Sequence, residues 1–135
     1  MSARAALVEA LRGWLPADVD VLPYARQIDP PDRSTVMVRV DELTPAPVQG
    51  QRDAHVALVL LVPGGVVDSD ATAKAVEDEL EALLADVLHV LDTDAATSRM
   101  WWTSAKRSVY GEPEPTNPAY EVTVLARLNT EEKTA

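Results

Sequence analysis

The stretch Asp53-Ala54-His55-Val56-Ala57-Leu58-Val59-Leu60-Leu61-Val62, closed by Pro63-Gly64-Gly65, decides the fold. Val56, Leu58, Leu60 and Val62 alternate with Ala57, Val59 and Leu61, so both faces of a strand here are apolar. A strand of that kind sits inside a sheet with material on both sides. Its uninterrupted apolar run, Val56 to Val62, is too short to be a membrane helix, which needs about 20 residues. Upstream, Ser34 to Leu43 alternates more simply, with Val36, Val38 and Val40 on one face and Met37, Arg39 and Asp41 on the other. The segment between the two strands, Thr44 to Arg52, reads as a long hairpin tip stiffened by Pro45 and Pro47.

Downstream, Val76, Leu80, Leu83, Leu84, Leu88 and Leu91, with Val87 alongside, recur at helical spacing. They predict a long helix that starts at a cap among Asp68, Ser69 and Asp70 and ends before Asp92-Thr93-Asp94. A first helix is expected over residues 2–14, with Ala3, Leu7, Ala10, Leu11 and Trp14 on one stripe. Val19 to Leu22, stopped by Pro23, suits a short edge strand. A fourth strand is expected around Met100 to Thr103, possible past Lys106, and a fifth over Tyr120 to Leu128. Between these last two, Gly111 to Pro118 reads as a second rigid loop. The order α, β, β, β, α, β, β with short turns predicts an α+β domain over residues 1–129. It is a four- to five-stranded, mostly antiparallel sheet with two helices packed on one face. Residues 130–135 are expected to form a flexible tail.

Two helices cover one face of such a sheet and not both. The other face carries Ala57, Val59, Leu61, Leu125 and one of the adjacent Trp101 and Trp102, which point to opposite sides. An apolar surface of that kind predicts self-association.

Composition sets exclusions. The chain has 135 residues, long enough to bury roughly two-thirds of its unfolded surface. It has no cysteine, which removes disulfides, thiol nucleophiles and cysteine-ligated metals. Twenty-two acids stand against 12 bases, for a net charge of −10, a balance unsuited to gripping nucleic-acid phosphates. The acidity is local: Asp68 to Asp94 holds nine acids and one base, Lys74. A solvated helix face is the more common explanation of such a run, and the functional one is a surface that repels another polyanion.

Motifs for catalysis are lacking. There is no Gly-x-Ser-x-Gly, phosphate loop or Gly-x-Gly-x-x-Gly. Asp68-x-Asp70 and Asp92-x-Asp94 lack the glycine and distal glutamate of a calcium loop, and helix capping and termination account for them. His55 and His89 have no partner arguing for acid–base work and read as structural. No cofactor, metal or catalytic residue is expected. No basic, apolar leader stands at the N-terminus, so assembly in a cytoplasm without membrane contact is expected.

The order and size of these elements resemble the tail terminator proteins of long-tailed, non-contractile phages, especially those of actinobacterial hosts. The likeness spans nearly the whole chain. It runs through the helix beginning Ser2-Ala3-Arg4-Ala5-Ala6-Leu7, the strand Thr35-Val36-Met37-Val38 and the connection Thr44-Pro45-Ala46-Pro47. It continues through Leu61-Val62-Pro63, the acidic helix, Trp102-Thr103-Ser104-Ala105 and Tyr120-Glu121-Val122-Thr123-Val124. The resemblance implies a hexameric ring at the head-proximal end of the tail tube. Such a ring stops tube polymerisation, joins the neck and head, and lets DNA through its lumen without specific binding. The partners implied are further copies of the chain, the tail tube protein and a neck or head-completion protein, all in the virion tail.

Site expectations follow. Pro45, Pro47, Gln49, Gln51 and Arg52, with Glu112 and Glu114 of the second loop, are the expected docking residues for tube or neck. Val59, Leu61, Trp101, Trp102, Arg99 and Arg107 are the expected subunit contacts. Asp68, Asp70, Glu77, Asp78 and Glu81 are the acids expected to face the channel, where they keep phosphates off over a Debye length of about 8 Å. Two other readings compete: another neck or stopper ring, and a small bacterial α+β ligand-binding or enzyme domain. The second requires convergent polar residues on the inner sheet face, where Val, Leu and Ala predominate.

Overall fold

A computed structural model describes residues 3–25, 33–47, 49–63, 70–94, 99–110 and 117–129. Seven elements follow in the order α1 (Ala3–Trp14), β1 (Asp20–Leu22), β2 (Thr35–Pro45), β3 (Gln51–Leu61), α2 (Asp70–Thr93), β4 (Met100–Tyr110) and β5 (Asn117–Asn129). The strands form one sheet in the order β1-β2-β3-β5-β4. β1 runs parallel to β2, and every other neighbouring pair is antiparallel. The chain is therefore α+β with a five-stranded mixed sheet, and the apolar stretch from Val56 lies in its central strand, β3.

Both helices bury their stripes on the face carrying Val36, Val38, Val56, Leu58, Leu60, Val122 and Val124. α1 contributes Leu7, Val8 and Leu11, and α2 contributes Val76, Leu80, Leu83, Val87, Val90 and Leu91. Val90 joins the core where Leu84 and Leu88 are only partly buried, so the stripe is rotated slightly from the expected one. Trp14 ends α1 exposed rather than on the stripe, its ring edge-on to His89 at 6.3 Å. Arg12 donates to the Val21 carbonyl at 2.9 Å and ties the last turn of α1 to β1.

The opposite face differs from the bare apolar surface expected. Met37, Val59, Leu61 and Ala119 form a second apolar cluster, each almost fully buried, with Leu22 and Tyr110 packed against it. Ala57 is also buried. Leu22 of β1 and Tyr110 of β4 flank this cluster, and much of the apolar surface expected to await a partner is buried within the chain itself.

Two irregularities re-aim the strands. The β2–β3 register slips between Val40 and Glu42, leaving Asp41 as an extra residue. Before the bulge the even-numbered residues of β2 face the helices; after it the odd-numbered ones do. A second slip, between Trp102 and Ser104, does the same to β4 at Thr103. The hairpin tip is shorter than expected, because Pro45 pairs with Arg52 and Ala46 N–H donates to the Gln51 carbonyl at 3.1 Å. Pro45 is tolerated there because β2 has no described strand on its outer side at that point. Gly50 makes the turn at φ 84°, a conformation that disfavours side chains. Pro118 belongs to β5 rather than to a loop, and pairs with Val109 one residue beyond the β3 ladder. β5 extends to Asn129; residues 130–135 lie outside the described residues.

Candidate functional site

The alternation of β3 and β5 puts Asp53, His55, Leu125 and Arg127 on the face opposite the helices. At that end of the face a polar cluster replaces the apolar one. Arg127 Nε and Nη2 donate to the Asp53 carboxylate oxygens at 2.9 and 3.2 Å. The same guanidinium lies 5.5 Å from the centroid of the Trp101 ring, within cation–π range. Its hydrogen bond holds the Asp53 carboxyl below the ordinary carboxylate range, and the charge of Arg127 adds to the effect. Nearby, Thr44 Oγ1 and His55 Nε2 are 3.0 Å apart, and Arg39 bridges Asp41 at 2.6 Å and Glu121 at 3.3 Å. Trp101, on the last strand of the sheet, is 41% exposed at the margin of this polar surface.

Trp102 points the other way, as expected for its neighbour on a strand. Its Nε1 donates to Asp92 of α2 at 3.1 Å, so this tryptophan fastens the last turn of α2 to β4. Arg107, expected at a subunit contact, faces α2 and is held in an ion pair with Glu77. That pair keeps the Glu77 carboxyl below its ordinary value. Arg99 is exposed just before β4. Of the expected subunit contacts, then, Trp101 and Arg99 are open to solvent away from α2. Trp102 and Arg107 are engaged by α2, and Val59 and Leu61 are buried.

Among the acids expected to face a channel, Asp70, Asp78 and Glu81 are exposed on α2, and Glu77 is half-buried against Arg107. Asp78 pairs with Lys74 at 2.8 Å. Asp68 lies outside the described residues, as do Glu112 and Glu114. The outward side of α2 is acidic along its length, with Glu79, Asp86 and Asp92 also exposed.

The expected docking residues of the first hairpin come together at its tip. Leu43, Thr44, Pro45, Gln51 and Arg52 line a shallow hollow of about 300 Å³, with Leu43 57% exposed. Pro47 and Gln49 sit in the turn beside it. A larger cleft, about 480 Å³, opens between α2 and the start of β2, lined by Asp18, Arg33, Glu79, Leu83 and Asp86 among others. Arg33 there already donates to the carbonyls of Asp18 and Ala17 and lies 3.4 Å from Asp20. Among the described residues no three His, Asp or Glu side chains gather as metal ligands, and no helix is long and apolar enough to cross a membrane.

The Asp53–Arg127 pair was absent from the expected site residues. Its signal lay in the alternation: both are charged positions on one face of their strands, and the β3–β5 register sets them opposite each other. No model of a known protein family matches this chain, and no curated protein matches it, so its own residues carry the functional reading.

Proposed function

We propose that this chain is the subunit of a ring that caps the head-proximal end of a phage tail tube, ends tube growth and joins the neck. The observation that carries the reading is the division of its surface into three. An exposed tryptophan, Trp101, sits on the sheet face without a described helix. A hairpin tip presents Leu43 and Pro45 at one end of the sheet. An acidic helix forms the outer layer of the opposite face. A ring subunit needs these three surfaces: one for its neighbours, one for an axial partner, and one that a passing polyanion does not stick to. The hairpin tip is the docking device in this reading, because proline and a fixed turn lower the ordering cost of binding. The acids of α2 and its start are the surface turned toward DNA.

The test is direct. The purified chain is weighed by light scattering and imaged by negative stain, alone and with tail tubes. Rings with a central hole, seated on one end of each tube, are the expected result. A chain that stays monomeric at high concentration and leaves tube ends bare overturns the reading. Images of the intact neck with the ring on the head side of the junction reassign it to a neck or stopper protein.

A further inference from the structure

Among the described residues the sheet has two unpaired edges, and they differ. At one end β4 has β5 as its only described neighbour. At the other, β1 pairs with Thr35 to Met37 and leaves Val38 to Pro45 of β2 without a described strand on its outer side. Unpaired strand edges of this length are templates for pairing with another chain.

Three observations match the two edges to each other. The first is direction: three successive antiparallel pairings make β2 and β4 run oppositely. A second copy placed beside the first in the same orientation therefore brings its β2 antiparallel to β4. The second is charge. On β4, Arg107 is taken by Glu77, and Lys106 is exposed with no ion pair among the described residues. On β2, Asp41 is taken by Arg39, and Glu42 is exposed with no ion pair among the described residues. Glu42 pairs in register with His55, and Lys106 with Glu121, so both stand on the face away from the helices. The third is apolar surface. Val40, Leu43 and Val109 are exposed and lie on these same two edges, on the helix-bearing face.

We propose that β4 of one copy adds antiparallel to the free half of β2 of the next, continuing the sheet from subunit to subunit. With Lys106 opposite Glu42 and the Asp41 bulge skipped, Ala105 meets Leu43 and Val109 meets Val38. Val109 is then the last residue of the seam, because Met37 beyond Val38 is already paired with Leu22 of the neighbour's own β1. The seam hides the exposed valines and leucine on one side and makes a Lys106–Glu42 ion pair on the other. Pairing of like edges forms no Lys106–Glu42 ion pair, and when centred on these positions it sets like charges together. A heterologous, head-to-tail contact closes into a ring when its rotation permits. The inference rests on the ring reading for closure and not for the seam itself.

The chain has no cysteine, so the seam is testable by crosslinking. In the Lys106→Cys, Glu42→Cys double variant, mild oxidation is expected to give a ladder of dimers, trimers and higher species. Each single variant stops at dimers at most. Separately, Lys106→Glu or Glu42→Lys is expected to weaken self-association roughly fivefold to tenfold, and the two together restore it. Wild-type rings with no ladder and no effect of charge reversal overturn the seam and leave the ring reading standing. A ladder from open filaments with no rings supports the seam and removes the ring. Neither assembly nor ladder removes both.

Discussion

Arg127 and Asp53 meet across the β3–β5 ladder through two hydrogen bonds, and Trp101 packs on the same guanidinium. One cation thereby joins three strands, since Asp53 is on β3, Arg127 on β5 and Trp101 on β4. Arg107 and Glu77 make the corresponding link from β4 to α2 on the other face. Both carboxyls are held below their ordinary value by hydrogen bonds from arginine.

The pH dependence follows from that direction. A carboxylate whose folded pKa is lowered adds stability that is complete above its unfolded value, about 4, and is lost as pH falls through the folded value. The wild-type urea midpoint is therefore expected to hold from neutrality to about pH 5 and to fall below pH 4. Asp53→Asn and Glu77→Gln should each lower the midpoint at pH 7 and flatten its decline in acid. A variant whose acid decline equals that of the wild type shows that its carboxylate does not contribute.

The adjacent tryptophans separate stability from assembly. Trp102→Phe removes the hydrogen bond to Asp92 and keeps most of the packing, so it should cost about 1 kcal/mol in chemical denaturation. Trp101→Ala leaves the core beneath the helices untouched. It should change stability less than a core truncation does, and reduce the mass seen by light scattering. Equal effects of the two substitutions on assembled mass would contradict this division.

How far the sequence reaches is visible in these same residues. Period 3.6 placed α2, and period 2 placed β3 and β5, because burial of one stripe or face leaves a repeating mark. The Trp101 and Trp102 split follows from that same alternation. The bulge at Asp41 left no such mark, and Val40 and Leu43 look like core residues until the end of β1 is known, since β1 pairs β2 only as far as Met37. The burial of Val59 and Leu61 was also hidden, because Leu22 and Tyr110, which pack against their cluster, come from distant parts of the chain. Arg107 could be seen as a charge on a strand, but its partner Glu77 is 30 residues away.

Gly13 offers a stabilising change. It lies in the last turn of α1, and a Cβ built there meets nothing within 4 Å. Gly13→Ala should raise stability by about 0.8 kcal/mol, through helix propensity and a less disordered unfolded chain. The melting temperature should rise with no change in assembled mass. A fall in melting temperature would mean that the glycine serves a conformation other than the helical one.

Gly50 works in the opposite sense and bears on docking. At φ 84° an alanine costs about 1 kcal/mol or more, whereas asparagine tolerates the left-handed region better. The strain falls on the hairpin tip, where Ala46 N–H reaches the Gln51 carbonyl, and not on the core beneath the helices. Gly50→Ala should therefore speed amide exchange at Ala46 and its neighbours and lower stability modestly, with Gly50→Asn intermediate. If the tip is the surface that seats on a tail tube, binding to tube ends should weaken in the same order while ring formation persists. Tube-end binding that is indifferent to both substitutions would move the docking function away from this hairpin. The exposed side of the sheet around Trp101 would then be the next surface to test.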